Sequence, residues 1–170
     1  MKSFEVIQQY INSFYELGET INAADFLLDE YQLRHPNFKG FELREIAKPE
    51  FILMTTEGTF GEPQIIRIPE NTFDFPLILM LNLLAHEMIH VRQKAKGSIV
   101  EDKNEREWQA YYEMLFHTQF PQIPDVSDFH KKAFGTKALE YYQRMGNDSV
   151  LQIKYHDQKL QVDNLLVSLL

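Results

Sequence analysis

One apolar stretch limits, more than any other feature, what this chain can fold into. Residues 77–85 read Leu-Ile-Leu-Met-Leu-Asn-Leu-Leu-Ala, and residues 86–90 follow directly with His-Glu-Met-Ile-His. The apolar run predicts a buried helix, and residues four positions apart share one face of a helix. His86 and His90 can therefore bring two imidazoles to one metal ion, with the carboxylate of Glu87 beside them.

The composition predicts a single globular domain. The chain has 170 residues, of which 44% are hydrophobic and 13% aromatic, so it is long and apolar enough to bury a core. The formal net charge is -8 and no basic block stands out, so we expect no nucleic-acid partner. The chain has no cysteine, so a zinc ion would have to be bound by His, Asp or Glu side chains.

The sequence also indicates a cytoplasmic protein without a membrane partner. The first ten residues carry charges and glutamines where a signal peptide needs a long apolar segment. The longest apolar run, residues 75–85, is too short to cross a bilayer. The absence of cysteine agrees with the cytoplasm, and no feature specifies an oligomeric state.

Periodicity predicts two helices, then a small sheet, in the first half of the chain. Residues 3–17 have helical spacing, and Thr20 can cap a second helix that runs to about Arg34. Strands are predicted at 41–46, 51–55 and 64–68, with a turn at 57–62.

The second half is predicted to be mainly helical. Asp74 is the expected N-cap of the helix that carries the histidines, which should run to about Lys96 before Gly97. Further helices are expected at 104–118 and at 127–145, the latter with an interruption at Gly135. Residues 150–155 are expected to form a strand.

A catalytic zinc ion usually has three protein ligands, so a third ligand must lie downstream. The candidates are Glu105, Glu107, Glu113, His117, His130 and His156. We favour Glu107, because it shares a helical face with Tyr111 and Met114. Ala110, on the same face, would allow this helix to approach the first one closely.

The spacing of these residues resembles that of a known group of enzymes. His86-Glu87-x-x-His90 followed by Glu107-x-x-Ala110 is similar to the gluzincin group of zinc metallopeptidases. Residues 105–115 also resemble the corresponding helix of the small ImmA/IrrE-type metallopeptidases, and residues 86–93 are similar to SprT-like minimal zincins. The SprT-like group uses a third histidine soon after the motif, and this chain has none between residues 90 and 117. The resemblance covers roughly residues 64–118.

This resemblance implies a function and a set of site residues. It implies an α+β, zincin-like metallopeptidase domain with one zinc ion bound by His86, His90 and Glu107. Glu87 would act as the general base that activates a zinc-bound water for hydrolysis of a peptide bond in a peptide or protein substrate. The strand before the helix would form the rim of the cleft and pair with the substrate; it comprises Gln64, Ile65, Ile66, Arg67 and Ile68.

Three further expectations concern oxyanion stabilisation, the division of the chain and the alternative function. Tyr111, Tyr112 and His117 are available to stabilise a developing oxyanion. The single domain is divided into N-terminal helices (1–40), a sheet (41–70), metal-site helices (75–118) and a C-terminal helical and strand extension (125–170). The alternative function is a catalytically silent protein of the same fold that binds a metal or a peptide in a regulatory role.

Overall fold

The computed structural model describes residues 1–170 and has an α+β fold, with seven α-helices and one three-stranded mixed sheet. The predicted α+β class is therefore confirmed. The chain packs as two compact units, residues 1–99 and residues 100–170. None of the helices combines the length and the apolar character needed to cross a membrane.

The first unit contains a sheet and three helices. Its elements, in chain order, are α1 (Phe4–Glu16), α2 (Thr20–Glu30), β1 (Phe38–Arg44), β2 (Thr55–Glu57), β3 (Gln64–Pro69) and α3 (Leu77–Gln93). The strand order is β1-β3-β2, in which β3 pairs in parallel with β1 and antiparallel with β2. A short 3-10 turn at Thr72–Asp74 precedes α3.

Helix α3 supplies much of the core of this unit. Its predicted apolar face is confirmed, because the following residues are all buried: Leu77, Met80, Leu81, Leu84, Met88 and Val91. Helix α2 contributes Leu27 and Leu28 to the core, and β3 contributes Ile66 and Ile68. Residues of α3 contact β2, β3 and α2, so the helix is fixed along one side of the sheet.

The strand predictions for the first unit need two corrections. The predicted strand at 51–55 is wrong, because β2 starts at Thr55 and extends into the predicted turn, while Phe51 makes only an isolated bridge to Lys48. The predicted rim strand, Gln64–Ile68, is not an edge strand. It corresponds to β3, the central strand, whose residues 65–67 have partners on both sides. The edge strands are β1 and β2.

Helix α3 also begins later than predicted. Asp74 belongs to the 3-10 turn, and Pro76 occupies the N-cap position of α3. A residue before proline avoids the helical conformation, and Phe75 is accordingly extended, so a helix cannot run from Asp74 through this point. The helix ends at Gln93, three residues before the predicted end.

The second unit is helical. It consists of α4 (Lys103–Phe116), α5 (Asp128–Arg144), α6 (Val150–Lys154) and α7 (His156–Ser168). Trp108, Ala138 and Val162 are fully buried and bring α4, α5 and α7 together. The predicted strand at 150–155 is wrong, since Ser149 accepts a hydrogen bond from the backbone N–H of Gln152 and caps a helix there. Helix α5 continues through Gly135 without the expected interruption.

Candidate metal centre

His86 and His90 face each other on α3. Their Nε2 atoms lie 3.1 Å apart, and their rings meet edge to face with centroids 4.7 Å apart. Both side chains are buried, at 7% and 8% exposure. The one-turn spacing within the apolar helix therefore produces the convergence of imidazoles that the sequence predicted.

The other nitrogen of His90 contacts Gln93. His90 Nδ1 lies 2.8 Å from Gln93 Oε1, and Gln93 is itself buried. Gln93 is the last residue of α3, three positions after His90, so both side chains belong to one turn of the same helix. The Nε2 atom of His90 is thus directed at His86, and its Nδ1 atom at the amide.

Glu87 is fixed by a residue of the edge strand β2. Its carboxylate Oε2 accepts a hydrogen bond from the Thr56 hydroxyl at 2.7 Å, and the same hydroxyl lies 3.0 Å from the Glu87 backbone carbonyl. The backbone carbonyl of Thr56 in turn accepts a hydrogen bond from Lys94 Nζ at 3.0 Å. These bonds attach β2 to α3 at the proposed base.

The third predicted ligand, Glu107, comes close to the histidine pair. One ligand atom from each of His86, His90 and Glu107 lies within 4.8 Å of the other two, and Glu107 is half-buried. Glu107 lies in the second turn of α4, whose N-terminus is capped by Asp102 through the backbone N–H of Glu105. The structure thus brings all three predicted ligands together.

The spacing of these atoms fits a metal ion. Two zinc-bound nitrogens in a tetrahedral site are about 3.3 Å apart, because each Zn–N bond is about 2.0–2.1 Å long. The observed 3.1 Å between the two Nε2 atoms is near this value. Two neutral imidazoles and a carboxylate also form a donor set that suits zinc.

The alternative carboxylate ligands have other partners within the second unit. Glu105 accepts hydrogen bonds from Lys154 Nζ at 2.7 Å and from the Tyr155 hydroxyl at 2.6 Å. Glu113 accepts hydrogen bonds from the backbone N–H groups of Gln119 and Phe120 and thereby fixes the loop that follows α4. Both carboxylates stabilise the second unit instead of joining the histidine pair.

The alternative histidine ligands are also placed elsewhere. His117 ends α4 in a left-handed conformation, with its Nδ1 3.4 Å from Asp125. His130 Nδ1 contacts the Ser127 hydroxyl at 2.9 Å at the start of α5. His156 is exposed at the start of α7. None of the three belongs to the group formed by the histidine pair and Glu107.

The possible oxyanion-stabilising residues differ in their surroundings. The hydroxyl of Tyr112 donates to Gln161, and burial raises the pKa of Tyr112. Tyr111 stacks against Tyr141 with ring centroids 5.9 Å apart. Burial also raises the pKa of Tyr141, and the nearby charge of Glu107 acts in the same direction. His117 has the loop contact described above. A role of Tyr111, Tyr112 or His117 in stabilising an oxyanion stays a prediction.

Two residues of the site were not identified from the sequence. Gln93 could have been found, because it follows His90 at the i+3 spacing and ends the same helix. Thr56 could not have been found, since its contact with Glu87 depends on the position of β2, which the sequence pattern placed wrongly.

A scan against protein-family models, a search of curated proteins and a search of solved structures each found no significant match for this chain.

Proposed function

We propose that this protein is a zinc-dependent peptide hydrolase with a zincin-like fold. The observation that carries the proposal is the group formed by His86, His90 and Glu107, whose ligand atoms lie within 4.8 Å of one another. Glu87 follows His86 directly, and the carboxylate is held in place by Thr56. The combination of two imidazoles, one carboxylate ligand and an adjacent carboxylate base is the set that such hydrolysis requires.

The roles of the side chains follow from their chemistry. A zinc ion held by the three ligands would supply Lewis acidity, which makes water more acidic and polarises a carbonyl group. Glu87 is the group that accepts a proton from the attacking water and returns it to the nitrogen of the leaving amine. The hydroxide adds to the carbonyl carbon, the C–N bond breaks, and the proton lost by water ends on the amine, so the reaction balances.

Strand β2 is the part of the sheet best suited to bind a peptide. It is an edge strand, and its Thr56 contacts the proposed base. An extended peptide can add to a sheet edge through backbone hydrogen bonds. A peptide added beside β2 would run past Glu87, whereas the central strand β3 offers no edge along residues 65–67.

Metal content tests the metal site. We expect the wild-type protein to contain about one zinc ion per chain by elemental analysis, as expected for a three-ligand site. The variants His86→Ala and Glu107→Ala should lose most of it. His156→Ala and Glu101→Ala are matched controls, because both residues are exposed and lie outside the group. A wild-type protein that neither contains nor takes up zinc would refute the proposal.

Cleavage of a peptide library tests the catalytic role separately. Glu87→Gln should retain zinc but lose peptide cleavage by at least about a hundredfold, which is the usual contribution of a general base. Equal cleavage by wild type and variant would show that Glu87 is not the base. Zinc binding without cleavage by either protein would favour a catalytically silent metal protein.

A further inference from the structure

The ring of His90 has a defined contact at each of its two nitrogens. Nδ1 lies 2.8 Å from Gln93 Oε1, and Nε2 lies 3.1 Å from His86 Nε2. Gln93 is only 4% exposed and His90 only 8% exposed. Buried polar groups are almost always hydrogen-bonded, so the contact with Gln93 is the means by which Nδ1 is satisfied.

The chemistry of the two groups fixes where the hydrogen lies. An amide oxygen can only accept a hydrogen bond, so the contact requires a hydrogen on His90 Nδ1. A neutral imidazole carries one N–H, and its Nε2 therefore presents a lone pair. This is the tautomer that binds a metal through Nε2. If the amide nitrogen faced Nδ1 instead, the hydrogen would move to Nε2 and block the metal.

We propose that Gln93 is a positioning residue, which sets the tautomer and the ring orientation of His90 for zinc binding. This inference rests on the metal site of the proposed function. Gln93 acts through His90 and is not itself a ligand. Gln93 is the last residue of the helix that carries both histidines, so the ligand His90 and the residue that positions it belong to the same helix. The functional pattern in this chain is therefore H-E-x-x-H-x-x-Q.

The choice of glutamine at this position has a physical reason. A carboxylate would accept the same hydrogen bond, but it would carry a negative charge at a buried site at the C-terminal end of a helix. Burial and the helix dipole both disfavour that charge when no metal is present. Glutamine supplies the acceptor without the charge.

Zinc affinity measures this role without any substrate. We expect Gln93→Leu, which is similar in size but has no acceptor, to bind zinc about ten to one hundred times more weakly than wild type. Gln93→Glu restores an acceptor and should recover most of the affinity that Gln93→Leu loses. The affinities are measured by competition of the metal-free protein with a chromophoric zinc chelator.

Controls separate this inference from the proposed function. Gln9→Leu, an identical substitution at an exposed position of α1, should bind zinc as wild type does. If wild type binds zinc and Gln93→Leu binds it equally well, the role of Gln93 is refuted while the metal site stands. If wild type binds no zinc, both proposals fail.

A spectroscopic test avoids any variant that fails to fold. Long-range ¹H–¹⁵N spectra of zinc-loaded wild-type protein report which nitrogen of each histidine carries hydrogen. We expect the signal of a protonated Nδ1 and a zinc-bound Nε2 for His90. A protonated Nε2, or zinc bound through Nδ1, would overturn the proposal.

Discussion

The hydroxyl of Thr56 holds the carboxylate of Glu87 by a single hydrogen bond. The hydroxyl has one hydrogen and two nearby acceptors, Glu87 Oε2 at 2.7 Å and the Glu87 carbonyl at 3.0 Å. The contact with Oε2 is the shorter of the two and therefore the stronger one. Thr56 therefore orients the proposed base, which gives the residue a role that is separate from zinc binding.

Removal of this hydroxyl should affect turnover but not metal content. Thr56→Val keeps the shape of the side chain, and we expect peptide cleavage to fall by roughly ten- to a hundredfold, because a misplaced catalytic group is costly. Thr56→Ser should recover most of the activity. Zinc content is measured in parallel by elemental analysis, and a simultaneous loss of zinc would show that Thr56 supports the fold of the site instead of the base.

The neighbouring threonine provides a matched control. Thr55 lies in the same strand, and its hydroxyl contacts Glu57 at 3.0 Å instead of Glu87. Thr55→Val should therefore leave peptide cleavage close to that of wild type. An equal loss of activity in both valine variants would indicate a general effect on β2 and contradict the specific role of Thr56.

A second residue-scale prediction concerns the buried carboxylate of Glu105. The Tyr155 hydroxyl donates to Glu105 at 2.6 Å and accepts from Gln109 at 2.6 Å. Tyr155→Phe leaves the buried Glu105 and the half-buried Gln109 each short of one hydrogen bond, which should lower the free energy of unfolding by about 1–3 kcal/mol. Urea unfolding gives this value, and Tyr10→Phe, at a largely exposed tyrosine, is the control. If Tyr155→Phe lowers the free energy of unfolding no more than Tyr10→Phe does, the Tyr155 hydroxyl does not stabilise Glu105 as described.

The sequence predicts a helix or strand well where a regular pattern of buried apolar residues identifies it. The apolar face of α3 is readable because its residues repeat at helical spacing, and His86 and His90 follow from the same spacing. Strand β2 was not readable, since a three-residue strand has no period of its own and its position depends on pairing with β3. The segment after Ser149 alternates like a strand, but the Ser149 cap starts a helix there.

The continuity of α5 at Gly135 leads to a prediction about helix packing. A Cβ atom at this position would lie 2.7 Å from Leu166 Cδ2 of α7, so the absence of a side chain allows α7 to pack there. We expect Gly135→Val to lower the free energy of unfolding by about 1–3 kcal/mol through overpacking. Thermal or urea unfolding, followed by circular dichroism, measures the change.

An exposed position of the same helix separates packing from helix propensity. Ala133→Val introduces the same side chain at an exposed site of α5 and should cost only about 0.5 kcal/mol. Leu166→Ala in the Gly135→Val background should recover part of the loss, because it removes the atoms that the valine would meet. Independent, additive effects of the two substitutions would contradict the predicted contact.

At the scale of the whole chain, the division into two units was not visible in the sequence. The boundary between Ile99 and Val100 has no proline-rich or glycine-rich linker and no change in composition. It falls in the loop between α3 and α4, the two helices that carry the predicted ligands. The division reflects which residues pack together, and this depends on the tertiary fold.

The stability of the whole chain should depend on pH through His117. Burial lowers the pKa of His117 below its ordinary value of 6.5, although Asp125 and Glu113 partly oppose the shift. Below that value the unfolded chain binds a proton that the folded chain does not, so stability should fall as the pH falls from about 7 to about 5. His117→Asn, which tolerates the left-handed backbone there, should weaken this dependence. Urea unfolding of metal-free proteins at both pH values measures the difference, and an unchanged dependence would contradict it.

Zinc should stabilise the folded chain, because the group formed by His86, His90 and Glu107 exists only when the chain is folded. At a free zinc concentration of about one hundred times the Kd, binding adds about 2.7 kcal/mol to the free energy of unfolding. For a chain of this length the midpoint should rise by roughly 5–10 °C. Trp108, the only tryptophan, is fully buried and directly follows Glu107 in α4, so its fluorescence reports on the unfolding of the helix that carries this ligand.

The fluorescence of Trp108 therefore distinguishes the three-ligand site from a site made by the histidines alone. With three ligands, zinc should raise the midpoint measured by Trp108 fluorescence and the midpoint measured by circular dichroism together. Glu107→Gln should abolish the shift at Trp108, while Glu101→Gln should keep it. A zinc-dependent shift in circular dichroism without any shift at Trp108 would show that Glu107 does not bind the ion, and the third ligand would have to be sought elsewhere.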